Sequence, residues 1–289
     1  MTPRIVWLAS YPKSGNTWMR IFLANLINGS STPIDLNDLI SNGSSFSRPM
    51  IDDALGFDTG DLTPEECARL RPVVFRWISE QLTVPVYYKT HDACTQLSNG
   101  DWAMTPEATD KVIYILRNPL DVVVSWAHHS GVTLDASIKA LGNAKSILAK
   151  QKPTGQKQQV EQPMGTWSQH VESWTKNPLF NTCAVRYEDM RTKPEQTFAK
   201  ITAFLELPYD TAQINQAVRN TSFEGLQEQE KATGFRERPQ KVDRFFRKGM
   251  VGDWQETLSP EQVEKIVDAH GPVMQQFGYL NSDGTPRLS

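Results

Sequence analysis

The stretch from Ile5 to Leu26, IVWLASYPKSGNTWMRIFLANL, constrains the fold more than any other part of the chain. Its apolar opening, Ile5 to Ala9, reads as a short strand, Ser10 to Thr17 as a tight polar loop, and a helix is predicted from about Trp18. Strand, loop and helix in that order turn backbone N–H groups and a helix N-terminus towards one point, which makes an anion site. Lys13 adds a mobile positive charge, Ser14 and Thr17 add hydroxyl donors, and Gly15 lets the backbone come close to the anion. The ligand this predicts is a phosphate or a phosphate-like group. The loop is not a Walker A sequence, which places its Lys and hydroxyl after the second Gly. Here the Lys precedes the only Gly of the loop, in Y-P-K-S-G-N-T-W.

Three more strand-like runs end in residues that carry chemistry. Val84 to Lys89 leads into Lys89-Thr90-His91. Binding groups of open α/β sheets gather at the carboxyl ends of strands, so His91 carries more functional weight than a His on a helix face. Val112 to Leu116 is wholly apolar, as expected of a parallel strand covered on both sides. It is followed by Arg117-Asn118-Pro119; Arg117 suits a forked contact to phosphate, and Ser125, in the next helix, can donate to the same group. Asp121 is assigned to the first turn of that helix as a dipole partner. Thr182 to Arg186 is the fourth strand, followed by Tyr187-Glu188-Asp189-Met190. Farther on stand Thr221-Ser222-Phe223 and Phe246-Arg247-Lys248-Gly249-Met250-Val251-Gly252-Asp253-Trp254. In the latter, two adjacent cations and Gly249 offer a second phosphate clamp.

Taken together these segments resemble the cytosolic-type sulfotransferase family, which uses 3′-phosphoadenosine 5′-phosphosulfate (PAPS). The resemblance rests on Y-P-K-S-G-N-T-W, K-T-H, R-N-P-L-D-V-V-V-S, Y-E-D-M, T-S-F and R-K-G-M-V-G-D-W, in family order from about residue 4 to about 280. Gln255 stands where the family has Lys. The fold implied is one α/β domain over 1–289, with a central parallel sheet, flanking helices and a P-loop-like phosphate-binding loop after the first strand. Variable acceptor-side segments would lie around 28–82 and 130–165. The reaction implied is sulfuryl transfer from PAPS to a hydroxyl or amine of a small-molecule acceptor, leaving adenosine 3′,5′-bisphosphate (PAP). By family position His91 is the general base, with Lys13 and Lys89 on the charge of the transferring group. Lys13, Ser14, Gly15, Asn16 and Thr17 hold the 5′-phosphosulfate. Trp18 and Phe223 flank the adenine, Tyr187 hydrogen-bonds it, and Ser222 contacts the nucleotide. Arg117, Ser125, Arg247, Lys248 and Gly249 hold the 3′-phosphate. No metal is required, because a sulfuryl group carries less charge than a γ-phosphoryl group. The dimer motif of vertebrate members, K-x-x-x-T-V-x-x-x-E, has no counterpart that can be placed, so oligomeric state stays open.

Composition narrows the rest. A net charge of −3 lends no support to a nucleic-acid partner or a membrane surface, so any anion site is local. Cys67, Cys94 and Cys183 have no C-x-x-C spacing and read as reduced thiols. No stretch nears the ~20 apolar residues of a membrane span, and Ile5 to Ala9 is too short for a signal peptide's apolar region, so the expected location is cytoplasmic. A P-loop kinase is the rival enzyme; it needs Mg²⁺ on a strand-end Asp, where this chain has Arg117, and only Glu188-Asp189 would serve it. A nucleotide-binding module without catalysis is the rival of another class, and His91 argues against it.

The remaining segments are read from pattern. Thr63-Pro64-Glu65-Glu66 is a capping box opening a helix with Cys67, Leu70, Val74, Trp77, Ile78 and Leu82 inward and an irregularity at Pro72. Asp35 to Ile40 is a candidate short helix. Trp167, Val171 and Trp174 form a core face, and Phe198, Ile201, Phe204 and Leu205 another. Ser130 to Pro163 reads as a mobile surface segment, either a lid over the acceptor or a solvated insertion, with the tandem His128 and His129 before it as packing or acceptor-pocket residues.

Overall fold

The structure is a computed structural model, and it describes residues 4–39, 43–150 and 158–287. In chain order its elements are β1 (Ile5–Ser10), α1 (Asn16–Asn28), β2 (Gly43–Ser44), α2 (Arg48–Leu55), α3 (Pro64–Gln81), β3 (Val86–Thr90), β4 (Thr109–Leu116), α4 (Pro119–Ser130) and α5 (Leu134–Leu141). They continue with β5 (Ile147–Leu148), β6 (Gln162–Pro163), α6 (Trp167–Thr175), β7 (Thr182–Arg186), α7 (Tyr187–Thr192), α8 (Pro194–Phe204), α9 (Thr211–Asn220), α10 (Phe223–Thr233), α11 (Trp254–Thr257) and α12 (Pro260–Gln276). The chain divides into two compact units, the first made of 1–11, 41–114 and 143–184, the second of 12–40, 115–142 and 185–289.

The central sheet, in the order β2-β3-β1-β4-β7, belongs to the first unit except for the last two residues of β4 and of β7. β1 is buried along its whole length, as its unbroken apolar run requires. β1 and β3 pair in parallel from Ile5↔Val86 to Ala9↔Thr90. That register brings Ser10 and His91 out of the sheet side by side. Trp7 packs edge-on against Phe75 of α3 at 5.0 Å and donates its indole N–H to Thr109 Oγ1 at 2.9 Å.

α3 starts on the expected capping box and runs through Pro72. Its buried stripe is Cys67, Arg71, Val74, Phe75 and Ile78, whereas Trp77 is 48% exposed. Trp77 directly precedes Ile78, about 100° around the helix, which takes it off the stripe. α6 carries the expected core face, with Trp167, Val171 and Trp174 fully buried, and adds His170 to it.

In the second unit, α1 begins at Asn16 rather than Trp18, with Gly15 as its left-handed N-cap. Ile21, Leu36, Leu226, Phe235 and Phe246 form a core cluster against which Trp18, Phe223 and Phe245 pack. On α8, Phe198, Ile201 and Leu205 are buried, with Phe204 intermediate. Two expectations change. Asp35 to Leu39 contains a turn closed by Asp38 N–H on Asp35 O, and Ile40 lies outside the described residues. The segment from Ser130 to Pro163 carries α5, capped by Thr133, and the antiparallel pair β5–β6, while residues 151–157 of the suggested lid lie outside the described ones. All three cysteines are buried thiols without a disulfide, and burial pushes Cys94 up to about 12. Among the described residues no helix is long and apolar enough to cross a membrane.

Candidate active site

The second unit contains the phosphate loop. Lys13 has φ +70, an unusual value for a residue with a side chain, and Gly15 has φ +102. Gly15 provides no side-chain cap to the first turn of α1. The Ser14 hydroxyl is buried and has no hydrogen-bond partner among the described residues. Asn16 and Thr17 are buried in the first turn. The Lys13 ammonium donates to His129 Nδ1 at 3.0 Å and lies 4.8 Å from the Phe245 ring centroid. A buried hydroxyl without a partner, beside an uncapped helix N-terminus, is the arrangement a phosphate-like anion completes.

Arg117 leaves β4 and is 9% exposed. Its guanidinium donates to Lys13 O at 3.2 Å and to Met250 O at 3.1 Å, while Nε has no partner among the described residues. It also forms a long ion pair with Asp121 Oδ2, at 3.9 Å. The guanidinium therefore sits on two backbone carbonyls and on the Tyr187 ring, 4.4 Å from its centroid. Its charge is desolvated and its ion pair with Asp121 is long, which suits an anionic ligand. The Tyr187 hydroxyl donates to Gly249 O at 3.2 Å, and burial raises its pKa.

Asp121 does more than serve the first turn of α4. Its carboxylate accepts N–H from Gly252 at 2.9 Å and from Trp254 at 3.1 Å, tying the 247–254 loop to α4. Arg247 and Lys248 both bond Asp253, the latter at 2.5 Å. Burial works against the Asp253 charge, yet the two cations hold its carboxyl below the usual range. Gly249 has φ +57, and a Cβ there would enter the Phe223 ring. Ser125 is half-buried on α4. Ser222 caps α10, and Trp18 donates its indole N–H to Thr221 O at 3.0 Å. The Arg191 guanidinium lies 5.6 Å from the Trp18 ring and 5.2 Å from Phe223. Sequence reasoning missed Arg191, although it stands one helical turn after Tyr187. Glu188, one of the Glu188-Asp189 pair that would serve a kinase, accepts from Asn118 N–H at 2.9 Å and from the Tyr279 hydroxyl at 3.0 Å.

The first unit contains His91. Its Nδ1 stands 2.8 Å from Ser10 O and 3.3 Å from Ser10 Oγ; a carbonyl can only accept, so Nδ1 carries a proton, and in the neutral ring Nε2 then holds the lone pair. Phe46 stacks parallel to the imidazole, with centroids 6.4 Å apart. The backbone around His91 is held from α6: His170 Nε2 donates to His91 O at 3.1 Å and Trp174 Nε1 to Asp92 O at 2.9 Å. Asp92 is itself buried and takes both Arg71 guanidinium nitrogens, at 2.9 and 2.7 Å, together with the Ser45 and Thr90 hydroxyls. Burial lowers His170 to about 4, so it stays neutral and accepts the Tyr114 hydroxyl at 2.8 Å. Lys89 lies 5.8 Å from the Phe46 ring centroid. Asp92 and Arg71 were not singled out from sequence; the signal available was a charged residue following K-T-H and an Arg on an apolar stripe.

With this geometry in view, comparison with known proteins is direct. The sulfotransferase domain model matches residues 3–278, and the chain belongs to that family. Mouse sulfotransferase 1B1 is 26% identical over 92% of this chain and 81% of its own length. A rabbit amine sulfotransferase is 30% identical over 54% of this chain and 52% of its own. The crystal structure of mouse sulfotransferase SULT7A1 complexed with PAP superposes with a TM-score of 0.56 at 23% identity, covering 97% of this chain and 85% of that one. Retinol dehydratase in complex with retinol and PAP superposes at 0.58 and 20% identity, covering 95% and 82%. Both likenesses support the fold. The class is thus that of sulfotransferases, an enzyme class.

Proposed function

We propose that this chain transfers the sulfuryl group of PAPS to a hydroxyl or amine of a small-molecule acceptor, with His91 as general base. The observation that carries the reading is the buried, unpartnered Ser14 hydroxyl at the uncapped N-terminus of α1. PAPS would supply the activated sulfuryl group and depart as PAP. Lys13 and the N–H groups of the loop stabilise the negative charge that develops on the departing phosphate. Arg117 binds a second phosphate, and the Gly249 loop, which Asp121 and Tyr187 hold in place, frames it. Arg247 and Lys248 contribute from a shared bond to Asp253, so they add less charge than two unpaired cations would. Trp18 and Phe223 take the adenine from either side, and Ser222 positions Phe223 by capping α10. His91 donates Nδ1–H to Ser10 O, which leaves Nε2 as the basic nitrogen that removes the acceptor's proton. Lys89 bears on the sulfuryl oxygens.

Calorimetry with PAP, AMP and ATP tests the nucleotide half. Binding of PAP in clear preference to both others is expected, because it alone presents a 3′-phosphate. Equal affinity for the three would overturn it.

A further inference from the structure

Within the first unit, residues 158–164 run as an extended strap beside His91. Arg48 N–H donates to Gln158 O at 3.0 Å and Val160 N–H to Phe46 O at 3.0 Å. Farther along, Ala93 N–H donates to Pro163 O at 2.8 Å. The strap is thus bonded at one point to the residue whose ring stacks on the imidazole, and at the next to the residue two positions after His91. An extended chain alternates its side chains. Val160, Gln162 and Met164 are each 2% exposed, whereas Pro163 is exposed and Glu161 intermediate.

Gln162 is therefore the one amide on an inward apolar face, between a Val and a Met. Its Oε1 is buried and has no hydrogen-bond partner among the described residues. Such an oxygen is unfavourable in a finished core, where Leu would serve better. It becomes favourable once a ligand donates to it.

We propose that Gln162 selects the acceptor: its amide oxygen takes a hydrogen bond from a hydroxyl or N–H of the acceptor other than the group that is sulfated. Acceptors preferred by this chain then combine an apolar body, which Val160 and Met164 favour, with a second hydrogen-bond donor. The inference rests on the sulfuryl-transfer reading and extends it to the class of acceptor.

The test compares hydroquinone, resorcinol, catechol and the 1,4-cyclohexanediols, each with its monomethyl ether, at saturating PAPS. Rates of the diols are corrected for their two hydroxyls. Wild-type protein is expected to favour at least one diol over its ether by about ten- to a hundredfold in kcat/KM. Gln162→Leu is expected to lose that margin with PAP affinity unchanged. Equal use of diols and ethers by the wild type, or a margin that survives in Gln162→Leu, overturns the proposal and leaves sulfuryl transfer standing. No labelled product from any acceptor, together with no PAP binding, overturns the transfer reading itself. A second measurement needs no turnover. In acceptor-free protein, Gln162→Leu removes an unpartnered buried oxygen, so the melting temperature stays level or rises. A clear fall shows that the fold itself satisfies the amide, and overturns the proposal.

Discussion

Gly15→Ala perturbs the phosphate loop without removing any charge or hydroxyl. At φ +102 a residue with a Cβ loses about 1–2 kcal/mol to backbone strain. The added Cβ would also stand 2.7 Å from Cδ2 and 3.3 Å from Cε2 of Tyr187. Tyr187 is 5% exposed, lies against the Arg117 guanidinium and donates its hydroxyl to Gly249 O, so it has little room to retreat. Overpacking of this kind costs about 1–3 kcal/mol. Restriction of the unfolded chain by Ala returns roughly 0.4–1 kcal/mol. Strain and clash outweigh that return, and the net loss is about 1–5 kcal/mol. Urea unfolding followed by tryptophan fluorescence measures it. Displacing Tyr187 also moves Arg117, so PAP affinity should fall by about tenfold or more. Gly29→Ala is the control: at φ +67 with nothing within 4 Å of its Cβ, it carries strain alone. A Gly15→Ala protein as stable as the Gly29→Ala control, with wild-type PAP affinity, would refute the reasoning.

Three further outcomes are expected. Arg117→Ala should weaken PAP binding about tenfold or more in calorimetry, because charge-assisted contacts to a desolvated phosphate are worth about 1.5–3 kcal/mol; unchanged affinity would remove Arg117 from the nucleotide site. His91→Ala should lower kcat by about 10²–10⁴ with PAP affinity nearly intact, and less for a phenol than for an aliphatic alcohol; near wild-type turnover would exclude His91 as the base. His170 and His270 are both lowered from 6.5 to about 4 by burial, so the unfolded chain takes up protons that the folded one refuses. Their contribution is complete above pH 6.5 and is withdrawn as pH falls towards 4, each by up to about 1.4 kcal/mol per pH unit. A urea midpoint that stays flat between those limits would contradict this.

What the sequence revealed, and what it hid, follows from the range of the interactions involved. Local rules reached far: the Thr63 capping box, the apolar strand before Arg117 and the strand–loop–helix around Lys13 all appear, the strand and the helix starting two or three residues earlier than expected. Each depends on neighbours a few positions apart. Trp77 failed because an apolar type was counted without its exact helical phase. The partners of the functional groups were hidden for another reason. Asp121 meets Gly252 and Trp254 more than a hundred residues away, and Arg71 meets Asp92 across a turn of chain that no period connects. Glu188-Asp189 was the one feature that would serve a kinase, and the Glu188 oxygens are engaged by Asn118 and Tyr279. Gln162 gave no sequence signal at all; its burial among apolar neighbours is visible only in three dimensions.

The most direct test of sulfuryl transfer is incubation with ³⁵S-labelled PAPS and a panel of phenols, alcohols and amines, in EDTA, followed by separation of labelled products. The account predicts label on at least one acceptor, with PAP released in equal amount and no gain on adding Mg²⁺. Intact PAPS in the presence of every acceptor, or phosphoryl transfer from ATP that requires Mg²⁺, would contradict it.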